Sequence, residues 1–379
     1  MRRGGAPRNS VRLPFLLFLI AAAASLVLLL RPRVVARDET RVLMDTFVTV
    51  RVRATGKPAA DAALRAAFDE IDRVARVLDW FDSTSAAGRP VAVAGEESAA
   101  GVGGGGEGGA GAVNGPPEQP AGADDLVRVL AVALDVARLS DGAFDPTIRP
   151  LTALWAFGSE PHVPPEDSIR ASAARVGFRR VRVDGARVVA DRPGVLLDLG
   201  AVAKGYAVDR AIETLRAAPG VRAGLVAAAG DIRAFGEGPR RGAWRIGLAH
   251  PRAPGEIVAS FPLAGGAVST SGDYERFFVK DGVRYHHILD PRTGAPARRS
   301  VSATVFAPTG TEADALATAC FALGPEEGRR LLAGLPGREA IWIAERDGRL
   351  VSETTPGLAG RYAIDFGTVE SASAAGVDP

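Results

Sequence analysis

The chain is poor in cysteine, lysine and histidine. Its one cysteine, Cys320, can form no internal disulfide and no cysteine-based metal site, and reads as a small buried hydrophobe. Only three lysines occur (Lys57, Lys204 and Lys280) within 46 basic residues, so a lysine inside a motif stands out. Four histidines leave few candidates for a general base. Net charge is also small: +2 over 379 residues creates no global field, and no nucleic-acid partner is expected. Apolar mass is what the chain has in quantity. At 47% hydrophobic residues it can build a core for one large domain or two.

Residues Leu13–Leu30 carry no charge and lie between Arg12 and Arg31. As a helix this run spans about 27 Å, just enough for a bilayer core. The heavier positive charge on its N-terminal side favours an N-in, C-out orientation. Residues 1–36 therefore read as a signal anchor, with a cleaved signal peptide as runner-up on the weak small-residue pattern Val34-Val35-Ala36. No cysteine follows the run, which excludes a lipoprotein anchor. Either reading puts the folded part on the outer, periplasmic face of the cytoplasmic membrane.

Thr40–Arg53, with alternating β-branched residues from Met44 on, reads as a half-buried strand. Ala59–Phe81 has a helical apolar period. Residues 83–122, rich in Gly, Ala, Pro and Ser, read as a disordered insertion. Asp124–Leu139 is another amphipathic helix. Beyond it Trp155 and Phe157 fit either the core or the flank of a flat heterocycle. Val181–Val189 suggests a hairpin at Asp184-Gly185. A short apolar strand should then run through Asp198 and Gly200 into a helix that carries Lys204 in its first turns. A cation there opposes the helix dipole, so a nearby anion is expected. Free N–H groups at that helix end suit phosphate.

Leu225–Asp231 reads as a buried strand, and Ser269-Thr270-Ser271-Gly272 as a strand end with hydroxyls to offer. His286 and His287 are adjacent, so on a strand only one of them faces a given site. Thr311–Gly324 reads as a helix with Thr311 as N-cap and Gly324 as stop. Asp314 and Thr318, four residues apart, present a carboxylate and a hydroxyl on one face. That pair suits a hard cation such as Mg²⁺. The other reading is an acid at a helix start and a threonine bonded to its own helix.

Seven segments in one order carry a resemblance: Met44-Asp45-Thr46; residues 142–158; Asp198-Leu199-Gly200-Ala201-Val202-Ala203-Lys204-Gly205-Tyr206; Gly230-Asp231-Ile232-Arg233; Thr270-Ser271-Gly272-Asp273-Tyr274; His287-Ile288-Leu289-Asp290-Pro291-Arg292-Thr293-Gly294; and Ala313-Asp314-Ala315-Leu316-Ala317-Thr318. Together they resemble the ApbE family, flavin transferases that move FMN from FAD onto a protein Ser or Thr. The resemblance runs from about Val42 to Gly357.

It implies an α+β fold of mixed and antiparallel sheets with packed helices over residues 40–366, followed by a tail at 367–379. It implies a Mg²⁺ site of Asp314, Thr318 and the Ala201 carbonyl. It also implies FAD contacts from Met44, Trp80, Ala143, Phe144, Asp145, Asp198, Lys204, Thr270 and Ile288, with His287 and Lys204 as catalytic groups. The acceptor would be a flavoprotein subunit of a membrane redox complex. Three positions depart from the family pattern: Asp45 and Ala229 stand where relatives carry Gly, and Ala317 stands where some carry an acid. The rival readings are a FAD hydrolase releasing FMN and AMP, and a non-catalytic flavin-binding assembly factor.

Overall fold

The computed structural model describes residues 33–93, 122–157, 161–239, 242–358, 362–366 and 370–371. The Leu13–Leu30 run and most of the expected insertion lie outside the described residues. Among those described, no helix is long and apolar enough to cross a membrane.

The frame is a nine-stranded sheet whose strands follow one another in chain order. They are β1 (Val34–Leu43), β2 (Thr46–Thr55), β3 (Val221–Ala228), β4 (Asp231–Phe235), β5 (Gly266–Gly272), β6 (Ser302–Ala307), β7 (Glu339–Arg346), β8 (Arg349–Thr354) and β9 (Glu370–Ser371). Neighbours run antiparallel except β8 and β9, which are parallel. The helices leave this sheet and return to it: α1 (Lys57–Val77), α2 (Ala123–Leu139), α3 (Arg149–Trp155), α4 (Glu166–Ala173), α5 (Ala203–Ala217) and α6 (Gly310–Ala333).

Period-two alternation gives the sheet two apolar faces. Val226, Val305 and Trp342 pack on the helix side with Phe68, Leu134, Ile212 and Phe321. Their neighbours Leu225, Phe306, Ile341 and Ile343 face the other way. There they meet a small antiparallel sheet of Trp244–Ala249, Ile257–Leu263 and Asp365–Phe366. The result is three layers, helices on sheet on sheet, and an α+β fold as the sequence implied. Cys320 is fully buried in the helix-side core.

Several expectations need correction. The single strand expected through Met44 is a hairpin. Leu43 pairs with Thr46 across a two-residue turn, and both Met44 (φ 53) and Asp45 (φ 56) take left-handed backbone. The first strand starts at Val34, so Val34-Val35-Ala36 pairs with Arg53–Thr55 instead of lying ahead of the fold. Order also extends past Ser83: Ser85 and Ala87 are buried, and Ala92–Val93 pairs with Arg187–Ala190. The stretch from Val195 to Leu199 joins no sheet; its Asp198 N–H donates instead to Pro146 O at 2.8 Å. Trp155 belongs to the core, stacked on Phe157 and donating to Gly294 O.

Helix α6 begins two residues earlier than expected. Thr309 is its cap, accepting from the Glu312 N–H at 3.3 Å. Gly324 (φ 76, ψ 179) breaks the helix ahead of Pro325, and the chain then resumes helical geometry to Ala333.

Helices α5 and α6 cross with backbones in contact. A Cβ on Gly205 would lie 2.2 Å from Gly310 O, and one on Gly310 would lie 2.5 Å from Gly205 O. Asp209 of α5 receives the N–H groups of Gly310 (2.7 Å) and Thr311 (2.9 Å), the Thr311 hydroxyl (2.6 Å) and Arg233 (2.7 Å). Orphan amides of a helix start are thereby satisfied by a buried carboxylate from its neighbour. Asp209→Ala should cost about 3 kcal/mol, because Arg233 is left buried and unpaired beside those amides. Urea denaturation measures this. A loss under about 0.5 kcal/mol, the range of ordinary surface substitutions, would show that the contact carries no weight.

Candidate functional site

The crossing that hides Asp209 also delivers Asp314. Helix α5 begins at Ala203, and its N-cap, Val202, offers no side-chain acceptor. Asp314, on α6 and 3% exposed, accepts the Gly205 N–H on Oδ2 at 3.0 Å. Each helix therefore has its start capped by a carboxylate from the other.

Lys204 lies in that first turn of α5. Its Nζ is 3.1 Å from Asp231 Oδ2, 3.6 Å from Asp314 Oδ2 and 3.3 Å from Gly200 O. The anion expected beside this lysine is thus a pair of internal acids. Burial alone would lower the Lys204 pKa, but Asp231 and Asp314 outweigh it and leave it raised. Burial and the neighbouring Asp231 raise the Asp314 pKa, against the pull of Lys204 and the Gly205 amide. Two buried carboxylates here share one ammonium.

The turn before α5 lies close under Trp80. A Cβ on Gly200 would sit 3.1 Å from Trp80 Cζ2, so any larger residue here presses on the indole. Asp198 braces the turn: Oδ1 accepts the Gly200 N–H (3.0 Å) and Oδ2 the Thr152 hydroxyl (2.7 Å). The Gly200 carbonyl and the Asp314 carboxylate, far apart in sequence, meet around the same ammonium. Ala201, partly buried, follows directly in this turn.

Strand β5 supplies the wall. Ser269 donates to Asp231 Oδ1 (2.5 Å), and Ser271 Oγ lies 3.1 Å from Thr318 Oγ1. Thr270 between them pairs with Thr304 at 2.9 Å on the opposite face, so its side chain does not join this group.

The other sequence-predicted residues have partners of their own. The Asp145 carboxylate is used within the protein. It accepts the Thr147 N–H (2.8 Å) and hydroxyl (2.7 Å) and the Phe178 N–H (2.8 Å). Burial raises its pKa. Ala143 and Phe144 are buried, and Gly142 and Asp145 help line a cavity of about 330 Å³ with Phe178 and Arg292. Met44 packs against the helix-side core from its hairpin turn, and Ile288 is buried beside the histidines.

His286 and His287 part ways, as neighbours on an extended chain should. His286 Nε2 lies 2.7 Å from Ala297 O, with its ring against Phe321. His287 keeps a buried Nδ1 with no hydrogen-bond partner among the described residues. Burial, then His286, Arg276 and Lys204, lowers its pKa to about 4. A neutral imidazole at physiological pH is able to take a proton from a hydroxyl.

The donor set here is oxygen only: a carboxylate, a hydroxyl and main-chain carbonyls. Among the described residues no three His, Cys, Asp or Glu side chains gather to hold a metal. Oxygen donors with an excess buried negative charge fit a hard divalent cation such as Mg²⁺. Asp231, part of the Gly230-Asp231-Ile232-Arg233 segment, carries no role in the sequence pattern. The signal is an acid at the start of a largely buried strand.

The lowered pKa of His287 has a measurable outcome. The unfolded chain takes up this proton near pH 6.5, whereas the folded chain refuses it until about 4. Stability from this residue is therefore present above pH 6.5 and declines as the pH falls from about 6.5 to 4. NMR titration of the imidazole should give a midpoint near 4, and a midpoint at 6.5 would show the ring to be in water.

The sequence pattern of the ApbE family matches residues 44–342. A FAD:protein FMN transferase from Treponema pallidum is 40% identical over 238 residues, covering 58% of this chain and 65% of its own length. One from Rhodobacter capsulatus is 35% identical over 242 residues, covering 62% of this chain and 45% of its own length. The chain thus spans less than two thirds of either relative. The crystal structure of the ApbE protein from Thermotoga maritima superposes with a TM-score of 0.68 at 30% identity, covering 85% of this chain and 97% of that one. With a family match running from the Met44 turn to Trp342 in β7, the chain belongs to the ApbE family.

Proposed function

We propose that this protein transfers FMN from FAD to a Ser or Thr hydroxyl of an acceptor flavoprotein and releases AMP. The observation that carries this reading is the meeting of the Gly200 turn and the Asp314 helix around the Lys204 ammonium. The relatives named FAD:protein FMN transferases support it.

The diphosphate of FAD is the bond to be broken. Asp314, Thr318 and the Ala201 carbonyl would hold Mg²⁺, which when bound supplies positive charge to a diphosphate and eases departure of the AMP phosphate. Lys204 adds a second fixed positive charge to the same region. The α5 amides and the Gly200 turn allow main chain to approach phosphate oxygens closely. Trp80 and Met44, at the turn and the hairpin, would position the flavin nucleotide with Ala143–Asp145, Asp198 and Ile288. The acceptor hydroxyl oxygen bonds to the FMN phosphorus as the bond from that phosphorus to the bridging oxygen breaks. His287 Nδ1 takes the hydroxyl proton, and the bridging oxygen leaves with AMP. A phosphoester-linked flavin is the product.

The Leu13–Leu30 run is proposed to anchor the domain at the outer face of the cytoplasmic membrane. Its uncharged length and flanking arginines support this. A flavoprotein subunit of a membrane redox complex is the proposed acceptor.

Intact-mass analysis of a Thr-containing acceptor, incubated with the protein, FAD and Mg²⁺, should show addition of one FMN. Asp314→Ala should slow that transfer by at least ~10²-fold, and EDTA should stop it. Undiminished transfer in both conditions would remove Asp314 and the metal from the mechanism. Steady release of free FMN without acceptor would point to hydrolysis instead.

A further inference from the structure

We propose that Asp231 is a positioning residue that draws the Lys204 ammonium toward itself and so leaves Asp314 less engaged and able to take a divalent cation. The inference rests on the metal reading above and extends it to a residue outside the ligand set. The Asp231 carboxylate is 3% exposed and is the nearer of the two acids to Nζ, at 3.1 Å against 3.6 Å. It is fixed independently of the lysine. Ser269 donates to its Oδ1 at 2.5 Å. Its backbone pairs with Ala228 at the start of β4, and the preceding Gly230 carbonyl accepts the Thr270 N–H at 3.2 Å. A Cβ on Gly230 would lie 2.7 Å from Thr270 O, so the turn that presents Asp231 is closed against β5.

The charges explain why this matters. Asp231, Asp314 and Lys204 together carry one net negative charge in a buried place, and a divalent cation turns this into one positive. Without the Asp231 charge, Lys204 and Asp314 form a neutral pair. An entering cation then has to separate the lysine from its only acid, and two net positive charges remain buried. Asp231 thereby acts on the metal through Lys204, without needing to touch it. The Gly200 carbonyl, 3.3 Å from Nζ, gives the ammonium a second resting contact on the side of the turn.

The test reads Mn²⁺ binding to the full chain by calorimetry or by the EPR signal of free Mn²⁺, with no transfer assay involved. Asp231→Asn should weaken Mn²⁺ by about tenfold or more, as outer-shell changes do. Ser269→Ala, which only loosens Asp231, should weaken it in the same direction by a few-fold, and this variant carries the test if the Asn variant does not fold. The deciding measurement is the double variant Asp231→Asn/Lys204→Met. Removing the lysine should restore most of the lost affinity, because the competing ammonium is gone. A structural defect, or direct ligation by Asp231, predicts no recovery and overturns the proposal, as does Asp231→Asn or Ser269→Ala binding Mn²⁺ as tightly as the parent. A parent that binds no Mn²⁺ removes the metal reading itself, whereas normal parental binding without lysine-dependent recovery removes only the role given to Asp231.

Discussion

Two helices cap each other, and the site exists because they do. Asp209 of α5 takes the first amides of α6, while Asp314 of α6 takes the Gly205 amide of α5. Neither helix start has a complete local set of acceptors, so each needs its neighbour. The contact is possible only because Gly205 and Gly310 let the backbones touch. Fold stability and site geometry are therefore the same interaction viewed from two ends. A carboxylate buried for structural reasons on one side of the crossing has its counterpart beside the Lys204 ammonium on the other.

Electrostatics at that second end run against ordinary preference. A lysine in a helix's first turn opposes the dipole, and two acids buried close together oppose each other. The arrangement holds because each unfavourable element is the partner of another. Lys204 gathers Asp231, Asp314 and the Gly200 carbonyl, and the group still keeps an excess of negative charge facing a turn braced by Asp198. Such a place favours an added cation over a further anion. On the function proposed above, it would seat a metal-bridged diphosphate better than a bare one.

Much of this was legible in the chain and some was not, for definite reasons. Hairpins at Asp184-Gly185, Asp281-Gly282 and Asp347-Gly348 could be read because their turn residues accept left-handed backbone. The Met44-Asp45 turn could not, because no glycine accompanies Asp45 and methionine rarely takes positive φ. Ala229, in place of a family glycine, is likewise held at φ 53. Positive φ at both positions supplies a backbone reason for the glycines that the family resemblance implies there. Asp314, Thr318 and Lys204 could be singled out by spacing and scarcity. Asp209, Asp231 and the Ser269–Ser271 pair could not, since their roles arise only when distant elements pack. Thr270 shows the limit in one residue: a strand reverses face at every step, so a hydroxyl run marks the place but not which hydroxyl faces it.

The chain-order sheet has a further result. Asp231 and Ser269 belong to β4 and β5, the fourth and fifth strands of nine, so the proposed site hangs from the middle of the sheet. Strand β1 is an edge, largely exposed, and β9 closes the far side. Fraying begins at edges and spreads inward only at rising cost. The outer strands can therefore breathe, or be pulled by whatever lies beyond them, while the central pair keeps its acids and hydroxyls in register. The protein thus places its least forgiving distances where thermal opening arrives last.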